Sequence, residues 1–145
     1  MLLRDAAGTE ALGKQIAPLL RPGDVIALFG DLGAGKTTLT RGILHGLGFR
    51  GDVASPTFPI VQTYDALAVP LWHVDLYRIE DPAEFDELGL DEALLDYALV
   101  VEWPERMGGA LWPHALRLYL TVADGDARRL TAQMPPAWES RWPPQ

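Results

Sequence analysis

Apolar residues recur along the chain in two rhythms, one helical and one extended, and their succession outlines a layered fold. In residues 9–20, Leu12, Ile16, Leu19 and Leu20 fall at helical spacing, which predicts an amphipathic helix that Pro18 kinks or ends early. After the turn Arg21-Pro22-Gly23-Asp24 comes Val25-Ile26-Ala27-Leu28-Phe29, a continuous apolar run of the kind found in a strand buried on both faces. A glycine-rich stretch follows. From Lys36 onward, Leu39, Ile43, Leu44 and Leu47 return at helix period until Gly48 supplies a stop.

The second half reads as shorter pieces. Two β-like stretches, 58–64 and 71–77, are separated by a loop at 65–70. Asp81-Pro82-Ala83-Glu84 has the order of a helix start, with Asp as N-cap, Pro in the first turn and Glu reaching back, and Gly89 closes that helix. Asp91 is placed to cap another short helix, and Ala98-Leu99-Val100-Val101 is a second buried strand. Leu116, Leu118, Leu120 and Val122 alternate with Arg117, Tyr119 and Thr121, so one face of that stretch is expected inside. Asp124-Gly125-Asp126 then turns a hairpin into a second arm at 128–134. Helices mixed with short apolar strands imply one three-layer α/β domain over 1–134, its sheet part parallel and part antiparallel with helices on both faces. The tail 135–145 holds four of the 12 prolines and is expected to lack regular structure, pinned by Trp138 and Trp142.

Composition narrows the class. At 145 residues and 48% hydrophobic, the chain buries enough surface for one core and is not disordered. No apolar run approaches the ~18 residues of a membrane span. Met1-Leu2-Leu3-Arg4-Asp5 lacks the marks of a signal peptide, so no membrane association and a cytoplasmic location are expected. Absence of Cys excludes a disulfide framework, a thiolate zinc site and a cysteine nucleophile. Twelve basic against 20 acidic residues leave a net charge of −8, which argues against autonomous binding to nucleic acid. Lys36, Arg41, His45 and Arg50 keep the first third near neutral, whereas residues 81–96 carry acids and no base, as a solvated helical face would.

The chemistry concentrates in Gly30-Asp31-Leu32-Gly33-Ala34-Gly35-Lys36-Thr37, a full P-loop pattern standing between a predicted strand and a predicted helix. Its glycines let successive backbone N–H groups turn inward, and the helix N-terminus behind them adds about half a positive charge where phosphates would sit. Lys36 is placed to contact β- and γ-phosphates from a solvent-facing loop, and the Thr37 hydroxyl to ligate Mg²⁺. A P-loop needs an acidic partner at the end of a neighbouring apolar strand, and two positions qualify: Glu102, after 98–101, and Asp75, after Leu71-Trp72-His73-Val74. We assign Glu102 to the metal and Asp75 to the attacking water. Ser55-Pro56-Thr57-Phe58 would return towards the phosphates, either sensing them or forming a self-satisfied turn. His73 shares a strand face with Asp75 and either orients that carboxylate or fills the core. Trp103-Pro104 must turn the chain at the site's edge, where the indole covers a ligand or a partner, or fills space.

Taken in order, Gly-Asp-Leu-Gly-Ala-Gly-Lys-Thr-Thr (30–38), Ser-Pro-Thr-Phe (55–58), His-Val-Asp-Leu-Tyr-Arg (73–78) and Glu-Trp-Pro-Glu (102–105) resemble the bacterial TsaE (formerly YjeE) family over residues 5–132. The resemblance implies a P-loop NTPase-like fold and a cytoplasmic Mg²⁺-dependent ATPase that binds ATP and ADP. Such a protein acts with TsaB and TsaD in making threonylcarbamoyladenosine in tRNA and meets the tRNA only indirectly. Carried onto this chain, it implies a nucleotide loop of Gly33, Ala34, Gly35, Lys36, Thr37 and Thr38, with Thr37 and Glu102 on magnesium and Asp75 needed for hydrolysis. It also implies Trp103 at the site edge, Thr9 on the nucleoside side and Arg129 as a late basic residue near the nucleotide. Pro18 and Pro59 depart from the family's pattern in loop stiffness and packing. Two other classes use the same loop, a small-molecule kinase and a nucleotide-dependent binding module. The three widely spaced arginines Arg50, Arg78 and Arg106 do not make a kinase lid, and the two carboxylates speak against a module without turnover.

Overall fold

In chain order the computed structural model, which describes residues 1–31, 33–53, 60–81 and 83–144, runs β1 (Leu2–Leu3), α1 (Ala6–Ile16), β2 (Val25–Phe29), α2 (Lys36–Gly46), β3 (Val61–Tyr64), β4 (Leu71–Asp75), α3 (Ala83–Leu88), α4 (Leu90–Ala93), β5 (Ala98–Glu102), β6 (Leu116–Val122) and β7 (Arg128–Gln133). Short 3₁₀ turns follow α1 (Ala17–Leu19), β5 (Pro104–Ala110) and β7 (Pro136–Trp138). The strands form one sheet in the order β1-β7-β6-β2-β5-β4-β3. The central β6-β2-β5-β4 pairings are parallel, and β1-β7, β7-β6 and β4-β3 are antiparallel.

The two continuous apolar runs are strands with cores on both faces. Ile26 and Leu28 of β2, with Ala98 and Val100 of β5, pack into a core with α1 and α2; Val25, Ala27, Leu99 and Val101 pack into another with Phe85, Leu90, Ala93 and Met107. Successive residues of a strand face opposite ways, so a helix layer on each side demands an apolar residue at every position. The mixed sheet and its helices on both faces are as the periodicity predicts. Because β2 sits between β5 and β6, all parallel to it, the carboxyl ends of β2, β5 and β4 share one edge. That edge is where ligands of open α/β sheets bind.

The layer of α1 and α2 depends on a close approach that the hydrophobic pattern does not announce. A Cβ on Gly42 would lie 2.1 Å from the Glu10 carbonyl oxygen, and one on Gly13 would lie 2.4 Å from that of Leu39. Both obstacles are backbone, so the two helices touch at a spacing only glycine permits. His45 at the far end of α2 meets Glu10 of α1 at 3.1 Å.

Several expectations change at element ends. Helix α1 starts earlier than predicted because Asp5 accepts from the Gly8 N–H at 2.7 Å, and Pro18 falls in the 3₁₀ turn that ends it. Asp91 does not cap α4: left-handed Gly89 does, and the Asp91 carboxylate accepts from the Trp112 indole at 2.8 Å instead. Val122, the last residue of β6, is exposed rather than buried. Strand β4 stops at Asp75, two residues short of the predicted end. Residues 58–59 of the stretch ahead of β3 lie outside the described residues, as do Ser55-Pro56-Thr57-Phe58, Pro59 and Pro82. In the tail Trp138 is fully buried, and Arg141 stacks over its ring at 3.9 Å while pairing with Asp24 at 2.7 and 3.1 Å.

The helix contact predicts that Gly42→Ala costs about 2–3 kcal/mol, the scale of overpacking a tight interior, and lowers the unfolding midpoint by about 5–10 °C. Gly109→Ala, with nothing near its Cβ, should stay within about 2 °C in the same calorimetric scan. Equal shifts for the two would contradict the tight contact.

Candidate active site

The loop after β2 reaches α2 through Gly35, whose φ of 103° only glycine adopts freely and which serves as N-cap without a side-chain acceptor. The first-turn N–H groups of α2 therefore point out of the helix with no protein cap, the arrangement that binds anions. Lys36, the first helical residue, is 5% exposed, which corrects the solvent-facing placement expected from sequence. Its Nζ has no hydrogen-bond partner among the described residues and lies 4.1 Å from the centroid of the Trp103 ring. Burying an ammonium without partners is costly, and a cation–π contact recovers only part of it, about 2 kcal/mol when desolvated.

Trp103 holds that position by a strained backbone. Its φ of 56° and ψ of 47° are left-handed, uncommon for a bulky residue, and they swing the chain from β5 into the following 3₁₀ turn. The indole also meets the Tyr77 ring at a tilt, centroids 4.9 Å apart, with the Arg106 guanidinium 5.7 Å from the Tyr77 ring. Trp103 thus packs against the core on one side and covers the lysine on the other.

Below this cover, Gly33, Gly35, Lys36, Thr37, Thr38, Asp75, Glu102, Trp103 and Arg128 line a cleft of about 220 Å³. Asp75 and Glu102 are register partners on parallel β4 and β5, so the two carboxylates stand side by side on the α2 face. Glu102 is 3% exposed, while Asp75 is half-buried and accepts from the Tyr77 N–H at 3.0 Å. His73, expected beside Asp75, meets Glu102 instead, Nε2 to Oε2 at 2.5 Å. Thr9 of α1 lies behind the loop, in a smaller recess with Gly35, Thr38 and Arg128. Ala34 is buried and belongs to the core beneath the loop.

One predicted residue is displaced by one position. Arg129 is exposed and pairs with Leu2 across the sheet edge. Its neighbour Arg128 reaches the loop, donating from Nη2 to the Gly33 carbonyl at 3.2 Å and from Nη1 to the Ala127 carbonyl at 2.9 Å, with Nε buried and without a partner among the described residues. A signal for this existed in the strand pattern: Arg128 shares a face with Leu130, which the core requires, and Arg129 does not. Two cationic donors without partners among the described residues, Lys36 Nζ and Arg128 Nε, and a helix start without a side-chain cap converge on a cleft whose other wall carries carboxylates. This donor set suits a polyphosphate together with a hard cation.

The family model described as "Threonylcarbamoyl adenosine biosynthesis protein TsaE" matches residues 3–130 of this chain. The chain belongs to the TsaE family. Among its relatives, the TsaE protein of Streptomyces coelicolor is 49% identical over 118 residues, covering 79% of this chain and 80% of that one. That of Bacillus subtilis is 43% identical over 124 residues, covering 85% and 77%. The crystal structure of Bacillus subtilis YdiB superposes with a TM-score of 0.82 at 33% identity, over 97% of this chain and 88% of that one. These matches agree with the P-loop NTPase-like α/β fold, and the TsaE match spans every residue lining the cleft.

The geometry predicts that Arg128→Ala weakens ADP binding, measured by calorimetry, by about tenfold or more, the worth of one charge-assisted hydrogen bond. Arg129→Ala should change it less than about twofold, and the opposite order would restore the position expected from sequence.

Proposed function

We propose that this TsaE-family chain is a Mg²⁺-dependent ATPase, converting ATP and water to ADP and phosphate, and that it serves tRNA threonylcarbamoyladenosine biosynthesis together with TsaB and TsaD. The observation that carries the reading is the register of Asp75 with Glu102 beside a buried Lys36 ammonium that has no hydrogen-bond partner among the described residues. A merely anion-binding loop has no use for two carboxylates facing the anion. Relatives at 43–49% identity bear the description "tRNA threonylcarbamoyladenosine biosynthesis protein TsaE", which supports the pathway.

Lys36 and the uncapped N–H groups of α2 bind the β- and γ-phosphates, with Gly33, Ala34, Gly35 and Thr38 shaping the turn around them. The Thr37 hydroxyl and the Glu102 carboxylate hold magnesium, which when bound neutralises charge developing on the phosphate oxygens. Asp75, more exposed than Glu102, accepts a hydrogen bond from the attacking water and orients it. Arg128 closes the cleft from the hairpin side, Thr9 flanks the nucleoside side, and Trp103 excludes water from the lysine. A net charge of −8 disfavours direct binding to the RNA backbone, so the RNA is met through partner proteins. No helix among the described residues is long and apolar enough to cross a membrane.

The two carboxylates separate in a magnesium titration. Glu102→Gln should raise the Mg²⁺ concentration for half-maximal turnover, whereas Asp75→Asn should lower the maximal rate with ADP affinity within about threefold of wild type. The reverse pattern would exchange the roles.

Turnover by the chain alone should be slow, because among the described residues Arg128 is the only cation besides Lys36 lining the cleft, and a charge-stabilising group supplied in trans is worth about 10³–10⁵ in rate. Phosphate release should rise when TsaB and TsaD are added together and stay unchanged with tRNA alone. Fast unassisted turnover, or stimulation by tRNA alone, would contradict the reading.

A further inference from the structure

His73 is fully buried on β4, yet its ring is not simply core. Cross-strand register pairs His73 with Val100 and Asp75 with Glu102, which puts His73 and Glu102 on one sheet face, two positions apart along neighbouring strands. Their contact, Nε2 to Oε2 at 2.5 Å, joins side chains that are 0% and 4% exposed. The ring's other nitrogen, Nδ1, is buried without a partner among the described residues. An apolar side chain would fill the same space without burying an unpaired nitrogen, so packing alone does not account for an imidazole here. What the ring provides is one donor, aimed at one carboxylate oxygen at the end of β5.

We propose that His73 is a positioning residue for Glu102: its Nε2–H donates to Oε2 and holds the carboxylate in the one rotamer that presents it to the cleft beside Thr37. A glutamate has three side-chain torsions, and a fixed donor on the adjacent strand narrows the directions its carboxylate can take. A cation site needs the ligand held before the ion arrives, and hydrogen-bonded supports of metal ligands are typically worth about 10–100-fold in metal affinity. The inference rests on the assignment of Glu102 to the metal. It goes beyond that assignment by naming which atom fixes the ligand, and it moves His73 from Asp75, its nearer partner along the strand, to the carboxylate on the adjacent strand.

The test measures Mn²⁺ affinity of the ADP-loaded chain, from the paramagnetic resonance signal of the free ion, for wild type, Glu102→Gln, His73→Leu, His73→Gln and His73→Asn. ADP binding in the presence of a chelator checks that each variant retains its cradle. A glutamine amide nitrogen reaches the place of Nε2, whereas that of asparagine reaches only the place of Nδ1. The expected result is a loss of Mn²⁺ affinity of about 10–100-fold for Leu and Asn, comparable to Glu102→Gln, with Gln at 73 within about threefold of wild type. If Leu fails to fold, the contrast between Gln and Asn decides. Wild-type affinity in Leu and Asn, beside a loss in Glu102→Gln, would overturn the proposal and reduce His73 to filling. Wild-type affinity in Glu102→Gln itself would overturn the metal assignment and the proposal together.

Discussion

The arrangement turns on an ammonium held out of water. Lys36 opens α2, is almost fully buried, and rests against an indole face with no hydrogen-bond acceptor among the described residues. Everything around it is positioned by stronger constraints than the lysine itself supplies. Strand β2 is locked by apolar contacts on both faces, α2 is pressed onto α1 at glycine spacing, and Trp103 is driven over the cleft by a left-handed backbone. The unfavourable burial of one charge is tolerated because the fold around it is over-determined. Under the proposed function, such unmet potential is released when a phosphate arrives, which makes it binding energy held in reserve.

The sheet explains why the acids and the lysine meet although they are far apart in sequence. Parallel strands β2, β5 and β4 end at one edge, and the one-to-one register between β4 and β5 sets Asp75 against Glu102. The same register places His73 diagonally from Glu102. The division of labour proposed for the carboxylates rests on burial: the enclosed Glu102, in contact with a ring nitrogen, suits a fixed ligand, and the more exposed Asp75 suits a mobile water. Arg128 completes the enclosure from a hairpin whose turn, 124–127, comes much later in the chain.

Much of this was legible in the sequence because it is local. Continuous apolar runs marked β2 and β5, the glycine pattern marked the loop, and the ends of apolar strands marked both carboxylates. What stayed hidden depends on pairing between distant segments. Nothing near His73 reveals that its partner lies one strand over, and nothing near Gly42 reveals the carbonyl of Glu10 against it. Arg128 was missed for Arg129 because a shift of one residue in a strand exchanges faces, and only the burial of Leu130 fixes the parity. The two-residue strand β1 is too short to carry a period, and it exists because Leu2 and Leu3 pair with the edge of β7. Polar ends of elements were also misjudged: Asp91 has the composition of a cap but spends its carboxylate on Trp112.

The most direct test of the account is the rise in unfolding temperature that Mg²⁺ and ATP produce in wild type and in Lys36→Met, which keeps the length of the side chain and its apolar stem while removing the charge. Wild type should be raised by several degrees, as binding to the native state requires. Lys36→Met should fold and show little or no rise. A rise equal to that of wild type would contradict the claim that this buried ammonium is what the fold holds ready for phosphate.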